Sequence, residues 1–365
     1  MNRVNGYRTR VRLSFECSHL RRWEGMGAKE LLAEVVDGGD ALSFDEAQEL
    51  MTSLLQGGLS VDEMSALLTA LHDRGETAAE LAGFSAAMRA AAVLLPLTEA
   101  ERERAVDTCG TGGDGSGTFN ISTAVALVAA AAGVTVAKHG NRAITSRSGS
   151  ADVLHALGVE TEHTPESAAE SLRANGFAFL LAPRMHPAMK AVAPVRKSLP
   201  FRTVFNLLGP MSNPAGTTRQ VLGVYSPEAV DMVAEAMAFS GHMEHALIVH
   251  GDGGLDEFSL SGESVVAEVR GDQIRRYTVT PEDAGLPRSQ DALLGGDAVE
   301  NAAILSSIFA GETGPRRDIV LLNAAAVLLV AGVVDDLAEG VRRAANVIDC
   351  GDVTALVARL NGRTQ

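Results

Sequence analysis

The chain has 365 residues, of which 46% are hydrophobic, and carries a formal net charge of −15. This composition predicts a soluble globular protein of about two domains. No apolar run reaches the roughly 20 residues that a membrane span needs, and the negative charge repels phosphate backbones, so we expect neither membrane insertion nor general nucleic-acid binding. The three cysteines, Cys17, Cys109 and Cys350, form no C-x-x-C pair, which indicates a reducing, cytoplasmic location.

The first predicted elements are helices. Residues 1–25 contain the only tryptophan and show no sustained periodicity, so we interpret them as a disordered extension or a start assigned too early. No apolar core of a secretory signal follows their arginines. From residue 28 to about 96, apolar residues recur at helical spacing, and Ser43 and Ser60 precede acidic first turns as N-caps do. We therefore expect a small all-α region here.

The residue pattern changes from Val106 onward. Four β-branched or apolar runs (134–136, 178–181, 221–224 and 246–249) alternate there with alanine-rich helical stretches. Such alternation predicts an α/β region with a largely parallel sheet covered on both faces. Residues 186–203 are basic and interrupted by prolines, which indicates an insertion rather than a strand. Towards the end of the chain, residues 317–331 are predicted to form one long buried helix and residues 336–360 one or two more.

A glycine-rich stretch follows the first strand of this region. Five glycines lie within positions 110–117, and the sequence Asn120-Ile121-Ser122-Thr123 then leads into an alanine-rich helix. Glycines allow close approach of a ligand, and free amides at a helix N-terminus attract anions. The stretch is neither a Walker A loop nor a dinucleotide fingerprint. It therefore predicts an anion cradle, with an ordinary flexible surface loop as the alternative.

A second polar loop, residues 138–152, follows the next predicted strand and contains two glycines, several hydroxyls and the cations Lys138, Arg142 and Arg147. Ligands of open α/β sheets gather at the carboxyl ends of strands, so this loop is a second candidate phosphate site. A solvated basic turn is the alternative. Two anion loops in succession, in an acidic protein, favour a substrate with phosphates at two places.

Two further features could complete a site. Asp256 and Glu257 follow a glycine-rich bend after another buried strand, and paired carboxylates suit Mg²⁺, which also keeps waters and binds phosphate oxygens. An acidic surface turn is the alternative. Arg196, in the basic insertion, is available to hold a carboxylate by a two-pronged contact, although a single arginine is more often a surface cation.

Together these motifs resemble the anthranilate phosphoribosyltransferase family. The resemblance rests on the 110–123 loop, the Lys138 to Arg142 loop ending in Ser-Gly-Ser-Ala-Asp, the Phe-Asn-Leu-Leu-Gly-Pro stretch at 205–210 and the Gly-Leu-Asp-Glu turn at 254–257, in the same order. It implies an α/β fold in which a small N-terminal helical bundle domain is hinged to a larger domain with a central, mostly parallel sheet covered by helices. The helical domain would comprise residues 26–97 plus about 186–204, and the α/β domain residues 98–185 plus 205–365.

The resemblance also implies an activity. A family member transfers the 5-phosphoribosyl group from phosphoribosyl pyrophosphate to the amine of anthranilate and releases pyrophosphate, in tryptophan biosynthesis, as a cytoplasmic homodimer with two Mg²⁺ ions per active site. Carried over by motif, the metal positions are Ser122, Asp256 and Glu257. The anthranilate positions are Gly110, Asn141 and Arg196, with His139 lining the same pocket or accepting the departing proton. The phosphoribosyl pyrophosphate positions are Gly110, Gly113, Asp114, Thr118, Asn120, Ile121, Ser122, Thr123, Lys138, His139, Gly140, Asn141, Arg142, Ala143, Ile144, Thr145, Ser146 and Ser150.

The chain departs from the family pattern at three positions. Arg147 stands where lysine is common, Gly117 where asparagine is frequent, and Pro200 where glycine is expected. The first two keep charge or small size, whereas Pro200 could stiffen the hinge. Three other functions stay open at this point: a pyrimidine-nucleoside phosphorylase, a non-catalytic relative that binds nucleic acid, and a transferase for a substituted anthranilate, whose pocket would be set by Asn141, His186, Met189 and Arg196.

Overall fold

The structure is a computed structural model that describes residues 8–10, 27–143, 147–291 and 293–362. Of the predicted extension, residues 1–25, only Arg8–Arg10 belong to this set, and they form the short strand β1. The rest of that segment lies outside the described residues. So do Ile144, Thr145 and Ser146, three of the positions implied for the phosphoribosyl substrate.

The N-terminal part is helical, as expected. Its elements are α1 (Ala28–Ala33), a π-helical turn (Glu34–Gly38), α2 (Phe44–Leu55), α3 (Val61–Arg74) and α4 (Ala78–Ala90), and α5 (Glu99–Arg104) then leads into the sheet. The predicted caps of α2 and α3 are confirmed. The amide of Ser43 donates to Glu46 at 2.7 Å and that of Ser60 to Glu63 at 2.7 Å, while each serine hydroxyl accepts from the same glutamate's amide.

A single sheet of eight strands organises the rest of the chain. The further strands are β2 (Ala105–Gly110), β3 (Thr135–Gly140), β4 (Phe177–Leu181), β5 (Arg219–Gly223), β6 (His245–Gly251), β7 (Ser264–Arg270) and β8 (Gln273–Val279). From one edge to the other the order is β1, β8, β7, β6, β5, β2, β3, β4. The five strands from β6 to β4 are parallel, and β7, β8 and β1 continue the sheet antiparallel. The four predicted strand runs correspond to β3, β4, β5 and β6.

Helices connect the strands. They are α6 (Ile121–Ala131), α7 (Ser150–Ala156), α8 (Pro165–Asn175), α9 (Ala182–Met185), α10 (Ala193–Ser198), α11 (Phe205–Leu208), α12 (Pro227–Ser240), α13 (Ala298–Phe309), α14 (Pro315–Val330), α15 (Leu337–Asp349) and α16 (Asp352–Leu360), with short 3₁₀ turns at Pro187–Lys190 and Pro281–Ala284. The basic insertion is therefore helical rather than a strand, α14 is the predicted long buried helix, and residues 336–360 form two helices. In the described part of the chain, no helix is long and apolar enough to span a membrane.

The sheet is covered on both faces, which confirms the expected fold class. Side chains of one face, such as Val106, Val136 and Val221, pack with α6, α14 and α15 in one apolar core. Side chains of the other face, such as Leu222 and Ile248, pack with α12 and with the N-terminal helices in a second core. Burying alternate residues of each strand on opposite faces explains why the strands read as nearly continuous apolar runs.

The connectivity identifies where a ligand binds in such a sheet. From β2 the chain proceeds through β3 to β4 at one edge, and it then returns to place β5 on the other side of β2. The strand order thus reverses between β2 and β5. In open parallel sheets, ligands bind outside the carboxyl ends of the strands at such a reversal point.

Candidate functional site

The acidic turn lies directly over the ends of β2 and β5. Gly110 and Gly223 are neighbours at the carboxyl ends of these strands. A Cβ atom at Gly110 would overlap the carboxylate of Asp256, and one at Gly223 would overlap the main-chain oxygen of the same residue. Both positions therefore require glycine, because any side chain would push the acidic turn away from the reversal point.

The glycine-rich loop leaves β2 beside this turn. Gly112, Gly113, Gly115 and Gly117 have positive φ angles, which L side chains rarely adopt. The amide of Gly112 donates to Asp256 Oδ2 at 2.7 Å, which joins the loop to the acidic turn. The predicted close association of these two motifs is thus present in the structure.

The loop ends at Asn120, which is the N-cap residue of α6 but makes no side-chain capping bond. Its amide group instead donates to the carbonyl of Ser148 at 3.2 Å and accepts from Asn301 on α13 at 2.8 Å. Asn120 therefore ties the glycine-rich loop to the second polar loop. The Asn120 side chain therefore does not cap the first amides of α6. An anion site at a helix N-terminus requires such free amides.

Lys138 links the same two loops from within the sheet. The side chain is buried, and its ammonium group donates to the carbonyl of Thr108 at 2.6 Å and to Ser122 Oγ at 3.2 Å. Burial lowers the pKa of Lys138, which the charges of neighbouring acidic groups oppose. A buried cation between two loops is well placed to meet a phosphate.

The second polar loop is closed by Asp152 on α7. Its carboxylate accepts from the amides of Ala143 at 2.8 Å and Gly149 at 3.0 Å, so the two ends of the loop meet. The amide of Ala151 also donates to the carbonyl of Asn141 at 3.2 Å. These contacts bring the loop's beginning beside Ser150 at the start of α7.

The acidic turn concentrates negative charge. Burial, followed by the charge of Asp114, raises the pKa of Asp256 to about 6, and burial, followed by the charge of Asp256, raises that of Glu257 well above its usual value. The amide of Ser122 donates to the Glu257 carboxylate. The three residues implied for the metal therefore lie together, and Asp114 of the glycine-rich loop is a third carboxyl nearby.

This donor set fits magnesium. Within the described ranges, no group of three His, Cys, Asp or Glu side chains is placed to hold a metal ion by itself. Mg²⁺ does not need one, since it commonly uses one or two carboxylates together with waters and substrate phosphates. The mutual repulsion of Asp114, Asp256 and Glu257 is what a bound divalent cation would relieve.

Two buried histidines lie beside the end of β3. The His139 and His186 rings are 5.1 Å apart between centroids, and His139 Nδ1 donates to the Gly209 carbonyl at 3.1 Å. Burial lowers the pKa of His139 to about 3 and that of His186 to about 4, so both rings are neutral at pH 7. Both Nε2 atoms are buried without a partner in the described part of the chain, as polar groups awaiting a ligand would be.

Arg196 is free to bind a carboxylate. Its guanidinium lies 5.4 Å from the Phe205 ring centroid, the side chain is half-buried, and burial lowers its pKa. Among the described residues its guanidinium has no hydrogen-bond or ion-pair partner. Phe205 begins α11, and the Gly209 carbonyl that follows this helix contacts His139, so α11 connects the arginine to the buried histidines. No hydrogen bond joins Arg196 directly to Gly110 or Asn141.

The remaining predicted positions are spread around this centre. Thr118 forms a bridge with Leu294, Ile121 and Thr123 are buried in the first turn of α6, and Gly140 ends β3. Arg142 is exposed and pairs with Glu162 at 2.9 Å and Asp152 at 3.5 Å, so its charge is directed towards acidic side chains.

Sequence reasoning missed one residue that reaches the site. Arg202, from the basic insertion, donates to the carbonyl of Gly113 and lies 4.4 Å from the Tyr225 ring centroid. It joins the insertion to the glycine-rich loop across 89 positions of sequence. The only available signal was its positive charge in a basic stretch, which does not identify a partner that distant.

Comparison with known proteins gives the same two-part organisation, a helical part followed by an α/β part. The helical bundle domain of the glycosyl transferase family matches residues 29–92, and its a/b domain matches residues 102–354. The chain is 50% identical over 324 residues to an anthranilate phosphoribosyltransferase of Anaeromyxobacter sp. strain K, covering 88% of this chain and 94% of that protein. It is 50% identical over 325 residues to the enzyme of that name from Rubrobacter xylanophilus, covering 88% and 93%.

Solved structures agree. The crystal structure of anthranilate phosphoribosyltransferase from Thermus thermophilus matches with a TM-score of 0.85 and 46% identity, over 91% of this chain and 98% of that one. The enzyme from Saccharomyces cerevisiae, in complex with phosphoribosyl pyrophosphate and Mg, matches with a TM-score of 0.82 and 28% identity, over 92% and 97%.

Proposed function

Because the chain belongs to the anthranilate phosphoribosyltransferase family, we propose that the two loops and the acidic turn at the sheet's reversal point are its substrate and magnesium sites. The chain transfers the 5-phosphoribosyl group of phosphoribosyl pyrophosphate to the amine of anthranilate and releases pyrophosphate, in tryptophan biosynthesis. The observation that carries the assignment is that the glycine-rich loop contacts Asp256 over Gly110 and Gly223 and is joined to the second loop through Asn120 and Lys138.

Phosphoribosyl pyrophosphate is held by the two loops. The first loop supplies main-chain amides, the uncapped start of α6 and the hydroxyls of Thr118 and Thr123, and Lys138 supplies a buried cation to both loops. Such fixed donors stabilise charge on a leaving pyrophosphate without reorganising during the reaction. The residues of this subsite are Gly110, Gly113, Asp114, Thr118, Asn120, Ile121, Ser122, Thr123, Lys138, His139, Gly140, Asn141, Arg142, Ala143 and Ser150 of the described chain, with 144–146 beyond it.

Ser122, Asp256 and Glu257 hold magnesium, at two ions per active site. When bound, Mg²⁺ supplies positive charge that offsets the negative charge growing on pyrophosphate. The carboxylates fit this role because burial and, after it, the charge of neighbouring carboxylates raise their pKa values, and a bound cation offsets both effects. The hydroxyl of Ser122 lies between them and Lys138, whose ammonium group it contacts at 3.2 Å.

The acceptor lies between Arg196 and the buried pair His139 and His186. Arg196 binds the anthranilate carboxylate, since its guanidinium has no other anionic partner in the described part of the chain. The amine nitrogen attacks C1 of the ribose, the bond from C1 to the pyrophosphate oxygen breaks, and one amine proton is released. An arylamine is already neutral at pH 7, so no strong base is needed.

His139 orients the acceptor rather than driving proton removal. Burial holds its pKa at about 3, which makes its Nε2 a weak base. Because Nδ1 donates to Gly209, Nε2 is left as a hydrogen-bond acceptor. An acceptor at this position can align the amine of anthranilate, with Gly110 and Asn141 completing the subsite.

The chain has two domains and acts as a cytoplasmic homodimer. The helical domain comprises 26–97 plus about 186–204, and the α/β domain comprises 98–185 plus 205–365. Support for the discontinuous helical domain comes from α10 of the insertion, which contacts α3 of the N-terminal helices.

Loss of anthranilate fluorescence in the presence of phosphoribosyl pyrophosphate tests the function. We expect a loss that requires both substrates and Mg²⁺ and that stops when the metal is chelated. A loss independent of Mg²⁺ would contradict the proposed metal site. No loss, with calorimetric binding of phosphoribosyl pyrophosphate intact, would contradict anthranilate as the acceptor.

A further inference from the structure

The ladder between β2 and β3 is interrupted beside the site. Backbone pairing between these strands occurs at Ala105 with Thr135 and at Val106 with Val136, and then stops, although both strands are described to their ends. By contrast, β2 pairs with β5 as far as Gly110, and β3 pairs with β4 as far as Gly140. The interruption is thus confined to the two strands from which the phosphate loops leave.

Buried side chains occupy the place of the missing ladder. Asp107 Oδ1 accepts from the amide of His139 at 3.2 Å, and Lys138 donates to the carbonyl of Thr108 at 2.6 Å. Asn213, from the loop after α11, donates to the carbonyl of Ala137 at 2.8 Å. Main-chain groups that a regular sheet would pair with each other are therefore satisfied by side chains.

Asp107 is the centre of this arrangement and is fully buried. Besides His139, its carboxylate accepts from Asn213 and lies 3.4 Å from Gln220 Nε2 and 3.7 Å from the Cys109 thiol. All four neighbours are donors, so only a group that accepts on both oxygens satisfies them. Gln220 is itself fixed by donating to the carbonyl of Pro210 at 2.8 Å.

We propose that Asp107 is a positioning residue for the transfer reaction: it holds the start of the Lys138 to Arg142 loop at a fixed place relative to the glycine-rich loop. This inference rests on the proposed function, because its effect is on substrate binding by those loops. Asp107 lies three residues before Gly110 and bonds to the amide of His139, so it controls both loops without contacting substrate.

Asp107→Asn tests the inference. The variant keeps the size of the side chain and one acceptor oxygen, but its second position becomes an amide that faces the donors of Gln220 or Asn213. Because a buried donor facing another donor is left without an acceptor, we expect the Kd of phosphoribosyl pyrophosphate with Mg²⁺, measured by calorimetry, to rise about tenfold. Hydrogen exchange of the His139 amide should also become faster while the fold is kept.

A stability-matched control separates positioning from general weakening. Val347→Ala, in the buried face of α15, removes core packing remote from both loops. With a comparable loss of Tm, it should leave the Kd within about twofold of wild type. Equal losses of binding in both variants, or wild-type binding in Asp107→Asn, would overturn the inference while leaving the function intact.

Gln220→Met covers the case in which Asp107→Asn fails to fold. It removes one donor to Asp107 but keeps the bond to His139, so we expect a smaller rise of about threefold in the same Kd. An unchanged Kd would overturn the inference. Wild-type protein that binds no phosphoribosyl pyrophosphate would overturn the proposed function itself, which the fluorescence measurement detects independently.

Discussion

Glu268 on β7 lies between two basic side chains. Its carboxylate is 3.0 Å from His245 Nε2 on β6 and 2.8 Å from Arg270 Nε, and its side chain is 11% exposed. The hydrogen bond with His245, followed in effect by that with Arg270, lowers the pKa of Glu268 to about 2. A carboxyl group held in this way contributes stability only while it is ionised.

We predict a pH-dependent cost for Glu268→Gln. The folded pKa lies below the unfolded value, so the stabilisation is complete above about pH 4.5 and is lost as pH falls towards 2. The variant should lose about 2 kcal/mol of unfolding free energy at pH 7. In urea unfolding at pH 7, 5 and 3.5, the difference from wild type should shrink only at the lowest pH. A difference that stays constant would refute the assignment.

Arg196 provides a prediction that separates the two substrates. Arg196→Met should raise the KM for anthranilate about 100-fold, because a buried charge-assisted pair with the carboxylate is lost. The Kd of phosphoribosyl pyrophosphate should stay within twofold. Lys197→Met, the exposed neighbour on α10, is the matched control and should change neither value. Equal effects on both substrates would show that Arg196 does not contact the acceptor.

The acidic turn packs on the ends of β2 and β5, so a side chain at this contact should displace the whole turn. Gly223→Ala would place a methyl group against the main chain of Asp256, so the turn must move off the strand ends. We expect kcat/KM to fall more than about 100-fold and the Mg²⁺ concentration for half-maximal rate to rise. Gly38→Ala, at an exposed position, is the control. A variant with normal Mg²⁺ dependence would contradict the role of the turn.

The elements that sequence predicts well are those with an unambiguous local pattern. β3 to β6 are apolar runs buried on both faces, and α2 and α3 begin at serines with a glutamate three residues later. The antiparallel strands β7 and β8 were not predicted, because charged residues such as Glu268 and Arg275 interrupt their apolar pattern. Their alternation is typical of strands with one partly solvated face.

Site residues also divide into those with a local sequence pattern and those whose contacts depend on the fold. Glycines and carboxylates of the loops were predicted as site residues because their spacing is itself the signal. The contacts of Arg202 and Asp107 were not predicted, nor was that of Asn120 with Asn301, since each depends on a partner brought close by the fold: Gly113 for Arg202 and His139 for Asp107. The extension 1–25 and the effect of Pro200 on hinge closure stay predictions.

The helical and α/β parts share one apolar core. Residues of α2, α3 and α4 belong to the same buried cluster as α12 and one face of β5 and β6. Ser85 and Arg89 of α4 also donate to the carbonyl of Met211, at 2.9 Å and 3.2 Å. We therefore predict a single cooperative transition in calorimetry, with equal van't Hoff and calorimetric enthalpies. Two resolved transitions would show that the helical part unfolds separately.

Removal of residues 1–25 tests whether the outer edge of the sheet affects catalytic activity. Strand β1 pairs with β8, and β8, β7, β6 and β5 all lie between it and β2. We expect kcat/KM of the truncated protein to stay within twofold of the full chain, measured by anthranilate fluorescence. A tenfold loss would mean that this segment acts on the site.

Strand β1 also covers the edge of β8. Arg8–Arg10 pair with Gln273, Ile274 and Arg275 of β8, so their removal leaves those main-chain amides and carbonyls open to a strand from a neighbouring molecule. Exposed sheet edges are templates for intermolecular pairing, and the charge of Arg275 on β8 opposes such pairing by a repulsion that salt screens. The truncated enzyme should therefore differ from the full chain in its colloidal behaviour, forming aggregates that increase with protein concentration and ionic strength.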